Sequence, residues 1–314
     1  MEELKTDLLI IGAGPGGLGA ALYARRAGLD FMIVEKNMAG GQIINTELVE
    51  NYPGFKDGVT GFELAQSLVD HCKSFDIEIL EYHPIESIVE ISHEIEGKKY
   101  SFKCTGPKKI ISTRAIIIAT GAKPDRLNVK GETELLGKGI SFCATCDGAL
   151  YRDREVAVIG GGDTAVEEAL FLTNLVKKVY LIHRRDELRA CDMLQCRAKE
   201  NKKIEFIWSS VVEEFIGDEK LEAIIIKNKN DSSTRKLEVG AVFEYVGWQP
   251  NSETIKDLVD TDDYGFIITD TTMKTSHEGI YAIGDVRVTP LKQVITAVSD
   301  GAIASMYVDK YFLG

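Results

Sequence analysis

Apolar residues in this chain fall into two kinds of run. Short continuous blocks stop abruptly at glycine, and longer stretches alternate with polar residues. Asp7-Leu8-Leu9-Ile10-Ile11 is the first block. An unbroken run of that length predicts a strand buried on both faces, as in a parallel sheet. Residues 16–27, rich in small side chains, predict a helix, and Phe31-Met32-Ile33-Val34 predicts a second buried strand ending at Glu35. Residues 61–76 place Phe62, Leu64, Leu68, Val69 and Phe75 at the apolar positions of an amphipathic helix. Residues 86–118 alternate and contain Gly97 and Gly106-Pro107, which suits a meander of strands. It ends in the buried run Ile116-Ile117-Ile118, broken by Ala119-Thr120-Gly121. Residues 204–245 alternate again, with the polar stretch 227–236 read as a loop.

The first unit recurs. At an offset of 148, Leu8-Leu9-Ile10-Ile11 falls on Val156-Ala157-Val158-Ile159, and Gly12, Gly14 and Gly17 fall on Gly160, Gly162 and Ala165. Ile33-Val34 falls on Leu181-Ile182 and Glu35 on His183, with no gap. Two strand–glycine loop–helix–strand units predict an α/β chain with two Rossmann-like dinucleotide-binding domains. The 314 residues suit about two domains. Lys123-Pro124-Asp125 and Gly247-Trp248-Gln249-Pro250 punctuate the chain on either side of the second unit. They are read as two crossings, which inserts one domain (123–247) into the other (1–122 and 248–314).

Charge and cysteine content narrow the functions open to such a chain. The net charge of −12 disfavours general nucleic-acid binding. The uncharged stretch from Leu8 to Ala24 is broken by glycines and preceded by Glu2 and Glu3, so it reads as neither a signal peptide nor a membrane span. Six cysteines are too few for a disulfide scaffold, and a reducing, cytoplasmic compartment fits best.

Gly12-Ala13-Gly14-Pro15-Gly16-Gly17 has the Gly-x-Gly-x-x-Gly spacing between a strand and a helix. The first glycine makes the turn, the second lets a pyrophosphate approach, and the third lets the helix pack closely. Glu35 closes the next strand, where a carboxylate accepts ribose hydroxyls. The second loop, Gly160-Gly161-Gly162-Asp163-Thr164-Ala165, is followed at the matching place by His183-Arg184-Arg185, with Arg189 one turn on. A carboxylate there would repel a 2′-phosphate, whereas arginines bind one. The first loop therefore suits a dinucleotide with a free adenosine ribose, and the second suits NADP.

Cys143-Ala144-Thr145-Cys146 lies just before the second unit. Such a pair is either half a zinc site or a redox disulfide. Zinc needs two more ligands, and Cys191 and Cys196 are too widely spaced to supply the usual second pair, so no metal is expected. Redox chemistry is the better reading, with Asp147 placed to move a proton. Cys191 and Cys196 themselves read as semi-buried thiols on a helix.

Taken with Gly40-Gly41-Gln42, Glu50-Asn51-Tyr52-Pro53-Gly54 and Gly284-Asp285, these motifs make the whole chain resemble the bacterial-type, low-molecular-weight thioredoxin reductase family. The resemblance implies FAD on the first unit, held by Gly12, Gly14, Pro15, Gly17, Glu35, Lys36, Gly41, Gln42, Asn51, Thr120, Gly121, Asp285 and Gln293. It implies NADPH on the second, held by Gly160, Gly162, Asp163, Thr164, His183, Arg184, Arg185 and Arg189. Electrons are then expected to pass from NADPH to FAD, to a Cys143–Cys146 disulfide, and on to thioredoxin. Cys146 would face the flavin, Cys143 would attack thioredoxin, and Asp147 would be the acid–base. A homodimer is the family's usual assembly. A ferredoxin-dependent relative, or one serving a glutaredoxin-like acceptor, is the alternative. Three departures from the family pattern are Lys292, where arginine is usual, Ala165 at the end of the second loop, and the presence of Cys191 and Cys196 near the arginine cluster.

Overall fold

The computed structural model describes residues 2–46, 48–95 and 97–310. Strand Glu2–Ile11 sits inside the first sheet. It pairs in parallel with Phe31–Val34 on one side (Ile10 opposite Ile33) and with Lys109–Ile118 on the other (Ile10 opposite Ile117). Ile79–Leu80 and Ile280–Ala282 extend the parallel part at either side. The first half of Lys109–Ile118 instead pairs antiparallel with Lys98–Thr105, which pairs with Ser87–Ile95, giving the expected meander. The second sheet is wholly parallel, in the order Ile204–Ile207, Lys178–Ile182, Glu155–Ile159, Ala241–Glu244, Ile140–Ser141.

Both central strands are covered on two faces, which is why their sequences are continuously apolar. Leu8 and Ile10 belong to one buried cluster, Leu9 and Ile11 to another. Val156 and Val158 likewise face away from Ala157 and Ile159. Glycine loops follow each central strand and open into helices Pro15–Ala27 and Asp163–Leu172. The two sheets are joined by a two-stranded antiparallel ribbon, Ala122–Pro124 against Trp248–Pro250, with Pro124 opposite Trp248.

Two expectations change. The amphipathic helix runs only Gly61–Lys73, and its buried stripe is Gly61, Leu64, Ala65, Val69 and Cys72. Phe62, at the edge of that stripe, and Phe75, beyond the helix end, are exposed. The polar stretch 227–236 is mostly a hairpin: Ala223–Asn228 pairs with Thr234–Glu238, Lys227 lying opposite Thr234. Its outer strand is an edge with mostly exposed side chains, so no apolar alternation marks it.

Candidate active site between two nucleotide loops

The two loops share the backbone bond that ties the first glycine to the neighbouring strand. Gly12 N–H donates to Val34 O (2.8 Å), and Gly160 N–H to Ile182 O (3.1 Å). Gly12 has φ +107° and Gly160 φ +155°, left-handed backbone that favours glycine. A Cβ on Gly14 would meet nothing nearer than Gly41 Cα at 3.7 Å, and one on Gly162 would meet nothing within 4 Å. The space over the second glycine of each loop is therefore clear, at the N-terminus of a helix, where a pyrophosphate fits. Both loops fit a dinucleotide on that ground.

Beyond the loops the chemistry diverges. Glu35 is buried, and each of its oxygens takes one backbone donor: Ala13 N–H (2.8 Å) and Asn37 N–H (2.9 Å). Lone pairs remain for ribose hydroxyls. Lys36 beside it is exposed. In the second unit the His183 ring packs on Gly161, where a Cβ would stand 2.3 Å from it. Burial first, then Arg189, Arg185 and Arg184, push the His183 pKa down, so the ring is neutral at pH 7. Gly161 O accepts Arg189 N–H (2.7 Å) and Ala190 N–H (3.1 Å), and Asp163 Oδ1 accepts Cys191 N–H (2.7 Å). These bonds hold the arginine arm against the loop. Thr164, next to Asp163, is exposed.

A cavity of about 940 Å³ joins the two halves. Its wall includes Gln42 and Asp285 from one half and Gly160, His183, Arg184 and Arg189 from the other, with Cys143, Cys146 and Asp147 between them. Cys143 and Cys146 form a disulfide with Cα atoms 5.3 Å apart. Cys143 caps the short helix Ala144–Asp147, its sulfur accepting Cys146 N–H at 3.2 Å. Ser141 Oγ donates to Asp147 Oδ2 (2.5 Å) and accepts Cys143 N–H (3.0 Å). Gln293 reaches over from the first half: its Nε2 lies 3.7 Å from Cys143 Sγ and 3.9 Å from Cys146 Sγ. Asn51 Nδ2 donates to Gln293 Oε1 at 3.0 Å.

Gln42 Nε2 donates to Ala122 O (3.2 Å), and Thr120 and Asn251 exchange two hydrogen bonds beside Gly121. Gly41 lies against Gly14, so a Cβ there would stand 2.8 Å from Gly14 Cα. Asp285 is the middle residue of the Ile283-capped turn Gly284–Val286, and burial pushes its carboxyl up to about 6, opposed by Lys292. Lys292 Nζ sits 4.3 Å over the Phe266 ring, and burial lowers its pKa. The Lys292 ammonium thus keeps a cationic seat at the position where the family pattern has arginine.

Three contributors escaped the sequence reading. Ser141 orients Asp147, Asn251 secures Thr120, and Tyr245 Oη accepts Ala144 N–H at 2.7 Å. Only Ser141, two residues from Cys143, carried any local signal. Cys191 and Cys196 are exposed rather than semi-buried, and Cys191 precedes helix Asp192–Glu200 as its cap. No helix among the described residues is long and apolar enough to cross a membrane.

Two nucleotide-loop units on either side of a cavity that holds a disulfide define a dinucleotide-dependent disulfide oxidoreductase, and the chain belongs to the pyridine nucleotide-disulphide oxidoreductase family, which it matches over residues 6–301. Among proteins of that family, the thioredoxin reductase of Listeria monocytogenes is 45% identical over 311 residues, covering 99% of this chain and 95% of that one. The crystal structure of thioredoxin reductase from Streptococcus pyogenes superposes with a TM-score of 0.91 at 44% identity, covering 98% of each chain. The Lactococcus lactis thioredoxin reductase, in a structure titled as its FR conformation, is 40% identical over 98% of this chain and 99% of that one, with a TM-score of 0.64.

Proposed function

We infer that the chain is an NADPH-dependent, FAD-containing thioredoxin-disulfide reductase. The observation that carries this reading is the Cys143–Cys146 disulfide in one cavity wall with Arg184 and Arg189, facing Gln293 from the other half. Gly12, Gly14, Glu35, Gln42, Asn51, Asp285 and Gln293 would hold FAD, with Lys36, Thr120 and Gly121 beside it. Gly160, Gly162, Asp163, Thr164, His183 and the three arginines would hold NADPH, the arginines pairing with its 2′-phosphate. Bound there, FAD supplies the two-electron link between NADPH and the disulfide.

The thiol steps belong to the chain itself. With the pair reduced, the Cys143 thiolate attacks one sulfur of the thioredoxin disulfide, and the other thioredoxin sulfur leaves as thiolate. The Cys146 thiolate then attacks Cys143 Sγ, which re-forms the Cys143–Cys146 bond and releases the second thioredoxin thiolate. Asp147, held by Ser141, moves the protons. Two electrons pass to thioredoxin and both its thiolates are protonated.

The halves divide as 1–122 with 248–314, and 123–247, joined through the ribbon. Cys143 must leave Gln293 to meet a bulky protein substrate, so the inner half takes a second orientation. Near-equal identities with unequal superpositions, 0.91 and 0.64, support that. The enzyme works as a cytoplasmic homodimer. The intact arginine cluster argues against a ferredoxin donor. Anaerobic NADPH should bleach the oxidised flavin, and thioredoxin should restore its colour. A flavin that NADPH leaves oxidised would overturn the assignment.

A further inference from the structure

Tyr245 stands in the second unit where alanine stands in the first. Ala119 N–H donates to Ile11 O (2.8 Å), and Tyr245 N–H donates to Ile159 O (2.8 Å). Each carbonyl lies against the first glycine of its loop: a Cβ on Gly12 would be 2.4 Å from Ala119 O, and one on Gly160 would be 2.7 Å from Tyr245 O. The backbone places match; the side chains do not. Where Ala119 ends in a methyl, Tyr245 extends a ring whose hydroxyl accepts Ala144 N–H, between the two cysteines, at 2.7 Å. Glu168, on the helix that begins at the second glycine loop, is the acidic side chain beside that hydroxyl, and its charge helps keep the hydroxyl protonated.

This contact is hard to replace. Ala144 is fully buried, so its N–H has no bulk water to turn to. Glu168 Oε2 is buried with no hydrogen-bond partner among the described residues; burial raises the pKa of this carboxyl, and the nearby tyrosine hydroxyl works against that rise. Burial holds the Tyr245 hydroxyl well above its ordinary range, so it stays a protonated donor at neutral pH.

We propose that Tyr245, backed by Glu168, is a positioning residue for the redox disulfide, fixing the Cys143–Cys146 turn to the nucleotide-binding sheet. The proposal rests on the reading of this pair as the redox centre. Its consequence is a direction for the thiol–disulfide equilibrium. In the dithiol form the turn has lost its cross-link, and the tyrosine keeps it shaped for closure. Remove the hydroxyl and the dithiol gains conformers that the disulfide lacks, so reduction becomes easier.

The test equilibrates the FAD-loaded enzyme in a dithiothreitol redox buffer, where two electrons and two protons pass from the reagent dithiol to the enzyme disulfide. Alkylation and mass analysis of the Cys143–Cys146 peptide then give the ratio. Losing a hydrogen bond and stranding a buried N–H is expected to shift it about tenfold towards dithiol in Tyr245→Phe, equivalent to about 30 mV for a two-electron couple. Glu168→Gln, which keeps a polar group of the same shape beside the hydroxyl, should keep the wild-type ratio, and Glu168→Ala, which leaves a space beside the ring, should move in the direction of Tyr245→Phe. A folded, FAD-loaded Tyr245→Phe with the wild-type ratio would overturn the proposal, as would Glu168→Gln shifting as far as Tyr245→Phe. Should Tyr245→Phe fail to fold, an unshifted Glu168→Ala decides against it. The buffer contains neither NADPH nor thioredoxin, so a wild-type enzyme that NADPH cannot reduce would count against the function and not against this bond.

Discussion

In the first unit the residue closing the second strand is Glu35, whose carboxylate accepts Ala13 N–H; in the second it is His183, whose ring packs on Gly161. These are the same two positions, offset by 148, in contact both times. The backbone is common property, and on the proposed reading the side chain selects the ligand. A carboxylate suits ribose hydroxyls, and a neutral ring beside three arginines leaves the positive field intact for phosphate. The next strand shows the same divergence. Ile118 lies opposite Ile11, and Glu244 lies opposite Ile159. A buried apolar place in one unit has become a buried acid in the other.

The sharpest break between the units is that only the second is attached to a disulfide. Cys143→Ser and Cys146→Ser should each drop thioredoxin reduction to background while NADPH still bleaches the flavin. In Cys143→Ser the remaining Cys146 thiolate should give a long-wavelength absorbance band against the flavin. Its appearance only in Cys146→Ser would reverse the two roles.

Next in size is nucleotide choice. Neutralising Arg184 and Arg185 together removes charge-assisted contacts of about 1.5–3 kcal/mol each, which implies at least a tenfold rise in the NADPH KM and little change for NADH. Equal losses for both nucleotides in steady-state kinetics would erase the distinction between the loops. Gly14→Ala and Gly162→Ala then separate the ligands. Each new methyl meets open space in the protein, so both variants should fold with wild-type circular dichroism. Gly14→Ala should lose FAD on dialysis, and Gly162→Ala should keep FAD and bind NADP⁺ several-fold more weakly. The reverse pattern in isothermal titration would exchange the assignments.

The smallest effect concerns stability. Burial, reinforced by Glu132 and opposed by Arg126, pushes the Glu244 carboxyl up to about 8, and neither oxygen has a hydrogen-bond partner among the described residues. Below the unfolded value of 4.5 the group is protonated in both states and costs nothing. As pH rises from there to about 8 the unfolded chain releases a proton that the folded chain keeps, so stability falls across that window. Glu244→Gln should flatten this slope, with a Tm gain of a few degrees at pH 8 and almost none at pH 5. A thermal melt series with parallel slopes would remove Glu244 as its source.

Much of this was legible before any coordinates. Continuous apolar blocks ending in glycine gave both central strands, because burial on two faces leaves no alternation to confuse the period. The glycine spacing, Glu35, the arginines and the Cys-x-x-Cys pair were readable because each is a local arrangement with its own chemistry. Tyr245 was not, since its partner Ala144 is 101 residues away and the contact is a backbone N–H, which every residue but proline offers. The burial of Glu244 was hidden for a related reason: Glu132 approaches from a separate segment, and nothing in Val242-Phe243-Glu244-Tyr245 announces it. The hairpin inside 227–236 was missed because an exposed edge strand needs no apolar face.

The ribbon of Ala122–Pro124 and Trp248–Pro250 has a kinematic consequence. A single connecting strand is a tether, and a body on a tether tumbles about every axis. Two strands locked side by side, with Gln249 Nε2 donating to Asp125 Oδ1 at 2.5 Å and Asn251 N–H to Gly121 O at 2.9 Å, resist bending in their own plane. Twist is what a two-stranded ribbon yields most readily. For the proposed reorientation, such a joint acts as a torsion bar: a swing carried by its twist would return the inner half along one arc, without a diffusive search for its docking face.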